Sequence, residues 1–260
     1  MRPIPLILLA LFLATASMRA QSPYADSKSL DATETLRYDL SFRWSFLRGK
    51  VGEARLINKP TSGSKRFSQL VFRTTGIGDN VFPMRDTLET LFSAQKLPIR
   101  FEKRTHENDF VMNDVINYSY ASSRTSLKIK QWDRKKTRVD TTLYLPADRV
   151  VADMLSTLAL VRTVDYKVLK VGKKHAFTSP DGAKLVQSTY RLTGYSTAKI
   201  GKDETVSVLK IAVRIDDPAF QKGNAMEVWL TRDDRLIPVF ISARLSLGYA
   251  ECRLTSYSRN

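Results

Sequence analysis

Apolar and polar residues alternate with period two over most of this chain. Leu36, Tyr38, Leu40, Phe42, Trp44 and Phe46 are separated by Arg37, Asp39, Ser41, Arg43 and Ser45. Successive side chains of an extended chain point to opposite faces, so this stretch has one apolar and one polar face. That is the pattern of an antiparallel strand buried on one side. Arg48, Gly49 and Lys50 read as a turn, with a return strand over 51–57. Similar runs predict strands at 67–73, 99–103, 115–120, 125–132 and 138–145. The second half adds 165–170, 175–177, 184–195, 205–216, 226–231 and 236–252. Turn residues punctuate them at 60–64, 121–123, 179–182 and 232–235. Gly248 reads as a bulge in the last strand, because the apolar parity shifts there.

One segment follows the helical period instead. After Pro146, Asp148 can cap a helix running to about Arg162, with Val151, Met154, Leu155 and Leu158 as its apolar stripe. A weaker second helix is expected over 84–94, from Leu88, Leu91 and Phe92. Many strands with one or two amphipathic helices predict a mainly β protein: an antiparallel curved sheet or open β-barrel with one or two packed α-helices. No composition break divides the chain, so 34–260 reads as a single domain behind a flexible lead over 21–33.

Residues 1–20 have another character. Arg2 precedes an uncharged apolar run, and small residues follow at Ala14, Ala16 and Ala20. This is the layout of a cleavable signal peptide, cut near Ala20–Gln21. The run is short for a bilayer span, so the mature protein is expected in the periplasm and not across a membrane. The lone Cys252 allows no internal disulfide and no lipid-anchoring cysteine near the start. Stability must come from an ordinary core, and 43% of the residues are hydrophobic.

Charge then narrows the partners. The formal net charge is +16, of which the leader supplies only Arg2 and Arg19. Such a field favours anionic partners: lipid head groups, lipopolysaccharide or acidic glycans. Export argues against nucleic acid. A monomer is expected.

Catalytic chemistry finds little support. Only His106 and His175 are present, in unrelated segments, so no histidine metal site is expected. No nucleophile elbow and no phosphate-binding glycine loop occurs. Cys252 reads as a buried structural thiol. The expectation is a protein with no catalytic residues, no metal and no cofactor. The aromatic residues are more suggestive: Tyr38, Phe42, Trp44, Phe72, Tyr118 and Trp229 fall mostly on the apolar faces of strands. Such residues write either a packed core or the wall of a ligand-holding barrel.

Four blocks, in order, carry a family resemblance. They are 34–52 (ETLRYDLSFRWSFLRGKVG), 84–101 (MRDTLETLFSAQKLPIRF), 148–162 (DRVVADMLSTLALVR) and 227–239 (EVWLTRDDRLIPV). Together they resemble the exported bacterial family called domain of unknown function 3108. Arg85 and Asp86, Leu155 and Ser156 with Arg162, and Trp229 to Thr231 with Asp234 and Pro238 match its recurrent positions. Thr35 departs from it, since the usual opening reads Gly-Glu and this chain has Glu34-Thr35. The resemblance implies no established activity. Its β-rich pattern is similar to periplasmic lipoprotein carriers, which hold acyl chains in an open barrel lidded by helices.

Trp44, Arg85, Asp86, Arg162 and Trp229 are therefore the candidate ligand-binding residues. Asp86 is expected to pair with an arginine, Arg162 being the nominee. The first functional expectation is a non-enzymatic envelope protein holding a lipid or acylated protein. The second is a periplasmic scaffold recognising an anionic glycan or a protein through its basic surface.

Overall fold

The alternating segments join into one antiparallel sheet in a computed structural model that describes residues 22–44, 47–202, 204–215, 226–245 and 248–260. The signal-peptide expectation lies outside the described residues. A first meander contains β1 (Glu34–Trp44), β2 (Leu47–Thr61), β3 (Lys65–Thr74), the short helix α1 (Ile77–Val81) and β4 (Arg85–Phe92). It continues through β5 (Pro98–Glu107), β6 (Phe110–Tyr120), β7 (Arg124–Asp133) and β8 (Thr137–Pro146). Helix α2 (Met154–Val161) follows. A second meander then comprises β9 (Lys174–Asp181), β10 (Lys184–Ile200), β11 (Glu204–Ile215), β12 (Met226–Thr231), β13 (Pro238–Leu245) and β14 (Gly248–Arg259).

Pairing of β1 with β14, for example Leu40 with Cys252, fuses the two meanders into a sheet of 14 strands. Strands β8 and β9 are its edges. They do not pair directly. Instead the chain leaving β8 crosses to β9, where the Thr178 N–H donates to the Val150 carbonyl at 2.8 Å and the Ala152 N–H to the Thr178 carbonyl at 2.9 Å. The result is a curled, barrel-like sheet that is not closed strand to strand. Within each meander neighbours are antiparallel, so the β3–β4, β5–β6, β7–β8 and β9–β10 connections share one end, the upper rim.

The concave face is packed. Leu36, Tyr38 and Leu40 of β1 and Leu88 and Phe92 of β4 are buried there with Leu127 and Ile129 of β7. Helix α2 buries every residue from Leu155 to Val161. A helix this short is marginal alone. Each large apolar side chain it buries stabilises by about 1.5–3 kcal/mol, so tertiary packing holds it. Tyr24 and Leu30 add to the same cluster, and the Tyr24 hydroxyl donates to the Val151 carbonyl at 2.6 Å. Within the stretch 21–33, Tyr24, Ser27, Ser29, Leu30 and Ala32 are buried.

Several expectations change. Of residues 84–94, expected as a helix, 85–92 form strand β4, with Asp86, Leu88, Thr90 and Phe92 on its buried side. The Leu88–Phe92 interval fits both periods, and sheet pairing decides. Helix α2 starts six residues after Asp148, capped by Asp153, because 150–152 is drawn into pairing with β9. Residues 165–170 turn instead of extending: Asp165 accepts from the Lys167 N–H through its side chain and from the Leu169 N–H through its carbonyl. Arg48, Gly49 and Lys50 lie within β2, paired with Arg43, Phe42 and Ser41. The turn expected at 179–182 moves on, since Ser179 to Asp181 belong to β9 and Gly182 carries the positive φ. The parity shift at Gly248 marks a change of strand, with Leu245 of β13 pairing Gly248 of β14.

Candidate functional site

The nominated residues whose side chains are described, Arg85, Asp86, Arg162 and Trp229, do not form one site. Arg162 ends α2 and is fully buried, and its guanidinium donates through both terminal nitrogens to the Glu34 carboxylate. Its Nη2 also reaches the Arg235 carbonyl at 3.1 Å. Asn58 of β2 donates to the same carboxylate at 2.7 Å and accepts from Ser68 of β3. This cluster ties α2 to β1, β2, β3 and the β12–β13 loop. The hollow beside it measures about 10 Å³, at the lower limit for one water molecule.

Asp86 therefore does not pair with Arg162. It sits on the inner face of β4, where its carboxylate accepts from the His106 N–H at 3.0 Å. The register explains this: Arg162 lies beside the start of β1, whereas Asp86 lies near the upper rim. Burial, and next the charge of Asp86, push the nearby Glu107 carboxyl above the usual carboxylate range. Arg85 points outward, pairs with Asp79 at 2.8 Å and donates to the Thr74 carbonyl at 3.1 Å, bracing α1. Trp44 ends β1 opposite Leu47, and its side chain lies outside the described residues.

A second buried polar centre went unnoticed in the sequence. The Asp153 carboxylate accepts from the Leu155 and Ser156 N–H groups at 3.0 and 2.8 Å, and from the Tyr118 hydroxyl at 2.9 Å. Thr90 adds a contact at 3.2 Å. Burial pushes this carboxyl upward, against those donors. The S/T/D/N-before-helix signal was present at Asp153, one residue before Met154. Asp148 carries the same signal five residues earlier.

Trp229 lies elsewhere, on the convex face. The register sets Trp229 of β12 beside Phe240 of β13, and Ser242 between Glu227 of β12 and Glu251 of β14. Arg43 of β1 extends the row past Tyr249. These strands leave a groove of about 300 Å³, within the size range of small-molecule sites. Its floor is aromatic: the rings of Trp229 and Phe240 meet at 4.8 Å and 55°. Arg43 and Arg244 line it. Cations lie over the ring faces: Lys210 4.6 Å from the Trp229 ring centre, Arg253 4.6 Å from Phe240 and Arg43 4.4 Å from Tyr249.

The groove's acids are engaged. Glu251 bridges Arg43 and Arg253, each at 3.2 Å, and the Trp229 indole N–H donates to Glu227. Cations over aromatic faces are attracted by the ring quadrupole, which fixes the rings and presents the charge outward. Outward positions of a half-buried strand are ordinarily polar, so aromatic rings at three of them form the unusual feature. Tyr249, Arg43 and Phe240 were legible as residues. Their juxtaposition required the β1–β14 pairing, which joins the two ends of the chain.

Residues 37–255 match the family described as protein of unknown function (DUF3108). No curated protein matches the chain. Among solved structures, the fold is similar to the beta-barrel-like protein of domain of unknown function DUF1849 from Brucella abortus. The TM-score is 0.61 at 12% identity, over 88% of this chain and 98% of that one. At this identity the likeness is one of fold.

Proposed function

This chain belongs to the DUF3108 family, and from that premise we propose that it is an exported, non-enzymatic recognition module of the bacterial envelope, binding an anionic glycan in the convex groove of β12–β14 and β1. One observation carries the reading: the rings of Trp229, Tyr249 and the buried Phe240 at outward strand positions, each with a cation (Lys210, Arg43 or Arg253) over its face. A sugar ring that takes the place of the cation on such a face can pack its apolar side against the aromatic ring. Guanidinium groups match carboxylate or phosphate in two-pronged geometry.

The alternative of an acyl chain inside the sheet receives less support, because α2, Tyr24 and Leu30 occupy the concave face. The non-catalytic reading is supported by how the reactive groups are placed. Cys252 is buried, and burial pushes its thiol up to about 12. His175 stacks on Tyr190 with ring centres 4.9 Å apart.

Calorimetric titration of the mature chain with oligogalacturonate, beside neutral galactose oligomers, tests the proposal. The expected result is saturable binding of the acidic oligomer alone, lost in Trp229→Ala and weakened by salt. Equal binding of the neutral oligomer, or no effect of Trp229→Ala on binding of the acidic one, overturns it.

A further inference from the structure

We propose that the upper rim formed by α1, the β5–β6 turn and the β7–β8 turn docks on an anionic lipid bilayer. This surface lies apart from the groove and does not depend on the glycan reading. Ile77 and Val81 of α1 are 69% and 67% exposed, and Phe110 at the β5–β6 turn is 53% exposed. Single exposed apolar residues are ordinary, but a group of large ones on one end of a protein marks an interaction surface.

The three are placed together by the backbone. The Asn108 N–H at the β5–β6 turn donates to the Pro83 carbonyl just after α1 at 2.9 Å, and Met84 bridges to Glu107. Gly78 seats α1 against β2, since a Cβ there would lie 2.0 Å from the Val51 carbonyl oxygen. The outward display of Ile77 and Val81 is thus built into the fold.

The neighbouring turn is cationic. Met112 of β6 pairs with Asp133 of β7, so the β7–β8 turn follows directly along the rim from Phe110. That turn carries exposed Arg134, Lys135 and Lys136. Its acid is consumed internally: Asp133 accepts from the Lys135 and Lys136 N–H groups at 2.7 and 2.8 Å and from Arg138 at 2.6 Å. The side chains of Arg134, Lys135 and Lys136 form no ion pair among the described residues. By contrast Arg104, on the convex face of β5, is matched by Glu89 and Glu102 at 3.1 and 2.6 Å. Trp132, half-buried beside the turn with Lys130 5.9 Å from its ring centre, suits the headgroup level.

Apolar side chains beside unmatched cations are what a charged lipid surface recognises: the former enter the acyl boundary and the latter lie among phosphates. A fluid headgroup layer can mould to a row of projecting turns and take apolar side chains and cations at once.

Cosedimentation of the mature chain with vesicles of phosphatidylcholine, alone or containing phosphatidylglycerol, tests this. Binding is expected only to the anionic vesicles. Each cation near such a surface contributes roughly fivefold in partitioning. R134Q/K135Q/K136Q should therefore reduce binding by about a hundredfold, and Ile77→Ser with Phe110→Ser should remove the part that survives high salt. Melting temperatures verify that these exposed changes leave the fold intact. K170Q/K173Q/K174Q, in the loop before β9 and at its first residue, removes the same charge away from the rim and should retain most of the binding. Equal loss in that control, undiminished binding in the rim variant, or no preference for anionic vesicles overturns the proposal and leaves an acidic protein as the rim's partner.

Discussion

The interior cluster around Arg162 and the convex groove around Trp229 are built from the same residue types. Each joins an arginine, a glutamate and aromatic or amide neighbours across several strands. Burial separates them. Side-chain exposure is 0% for Arg162 and 1% for Glu34, against 43% for Arg43 and 15% for Glu251. In the interior, charges taken out of water must be fully partnered, so their removal is a stability event. On the convex face water solvates whatever is unpaired, and an ion pair there contributes about 0–1 kcal/mol. Such groups can therefore exchange their partners for a ligand. The same chemistry serves as a rivet in one place and as a candidate recognition surface in the other.

The strongest way to break this comparison is Arg162→Ala. Leaving Glu34 buried without its partner should destabilise by about 3–5 kcal/mol, a loss on the order of ten degrees in melting temperature for a domain of this size. Arg43→Ala should move it by no more than a few degrees. Equal effects in thermal denaturation would mean that burial does not distinguish the two regions. The next effect is Asp153→Ala. Loss of an N-cap costs about 0.5–2 kcal/mol, and the orphaned Tyr118 hydroxyl adds about 1–3 kcal/mol. Hydrogen exchange should show α2 opening before β4 in this variant.

Much of the fold was legible because a half-buried antiparallel strand records its own two faces. The alternation at 36–46 needs no partner to be read, and β3, β5 to β8 and β10 to β12 follow the same logic. What was not legible depended on contacts distant in sequence. Residues 84–94 satisfy both periods, and 150–152 are extended only because β9 is there to pair with them. The Arg162 partner illustrates the same limit. Burial and a helix end were foreseeable from the apolar stripe, whereas Glu34 lies 128 residues away and reaches it through the fold. Of the nominated residues whose side chains are described, Trp229 alone stands in the groove, since the aromatic positions that surround it are gathered by the junction of the first and last strands.

On the groove side, Trp229→Ala should cost little stability, about 1–2 kcal/mol for a half-buried ring, while abolishing oligosaccharide binding. A large loss of melting temperature with binding intact would move the groove into the structural class and sharpen the comparison against the reading given to it.

Glu107 offers the smallest effect and the finest discrimination, because it lies between the two environments. It is half-buried on the inner side of β5, with Asp86 of β4 and Lys103 of its own strand nearest in charge. Burial, then Asp86, raises its carboxyl, and Lys103 opposes the shift. A folded-state value above the unfolded one, which is about 4.3, gives stability that is fully present below that range. It is lost as pH rises through the shifted value, where the folded protein holds the proton and the unfolded chain does not. Glu107→Gln removes the ionisation. The variant should therefore melt higher than the native protein at neutral pH, and the gap should close on acidification to about pH 4. Melting curves across that window decide it. A variant that melts lower at neutral pH would show that the carboxylate is held by Lys103, and would place Glu107 with the partnered interior charges.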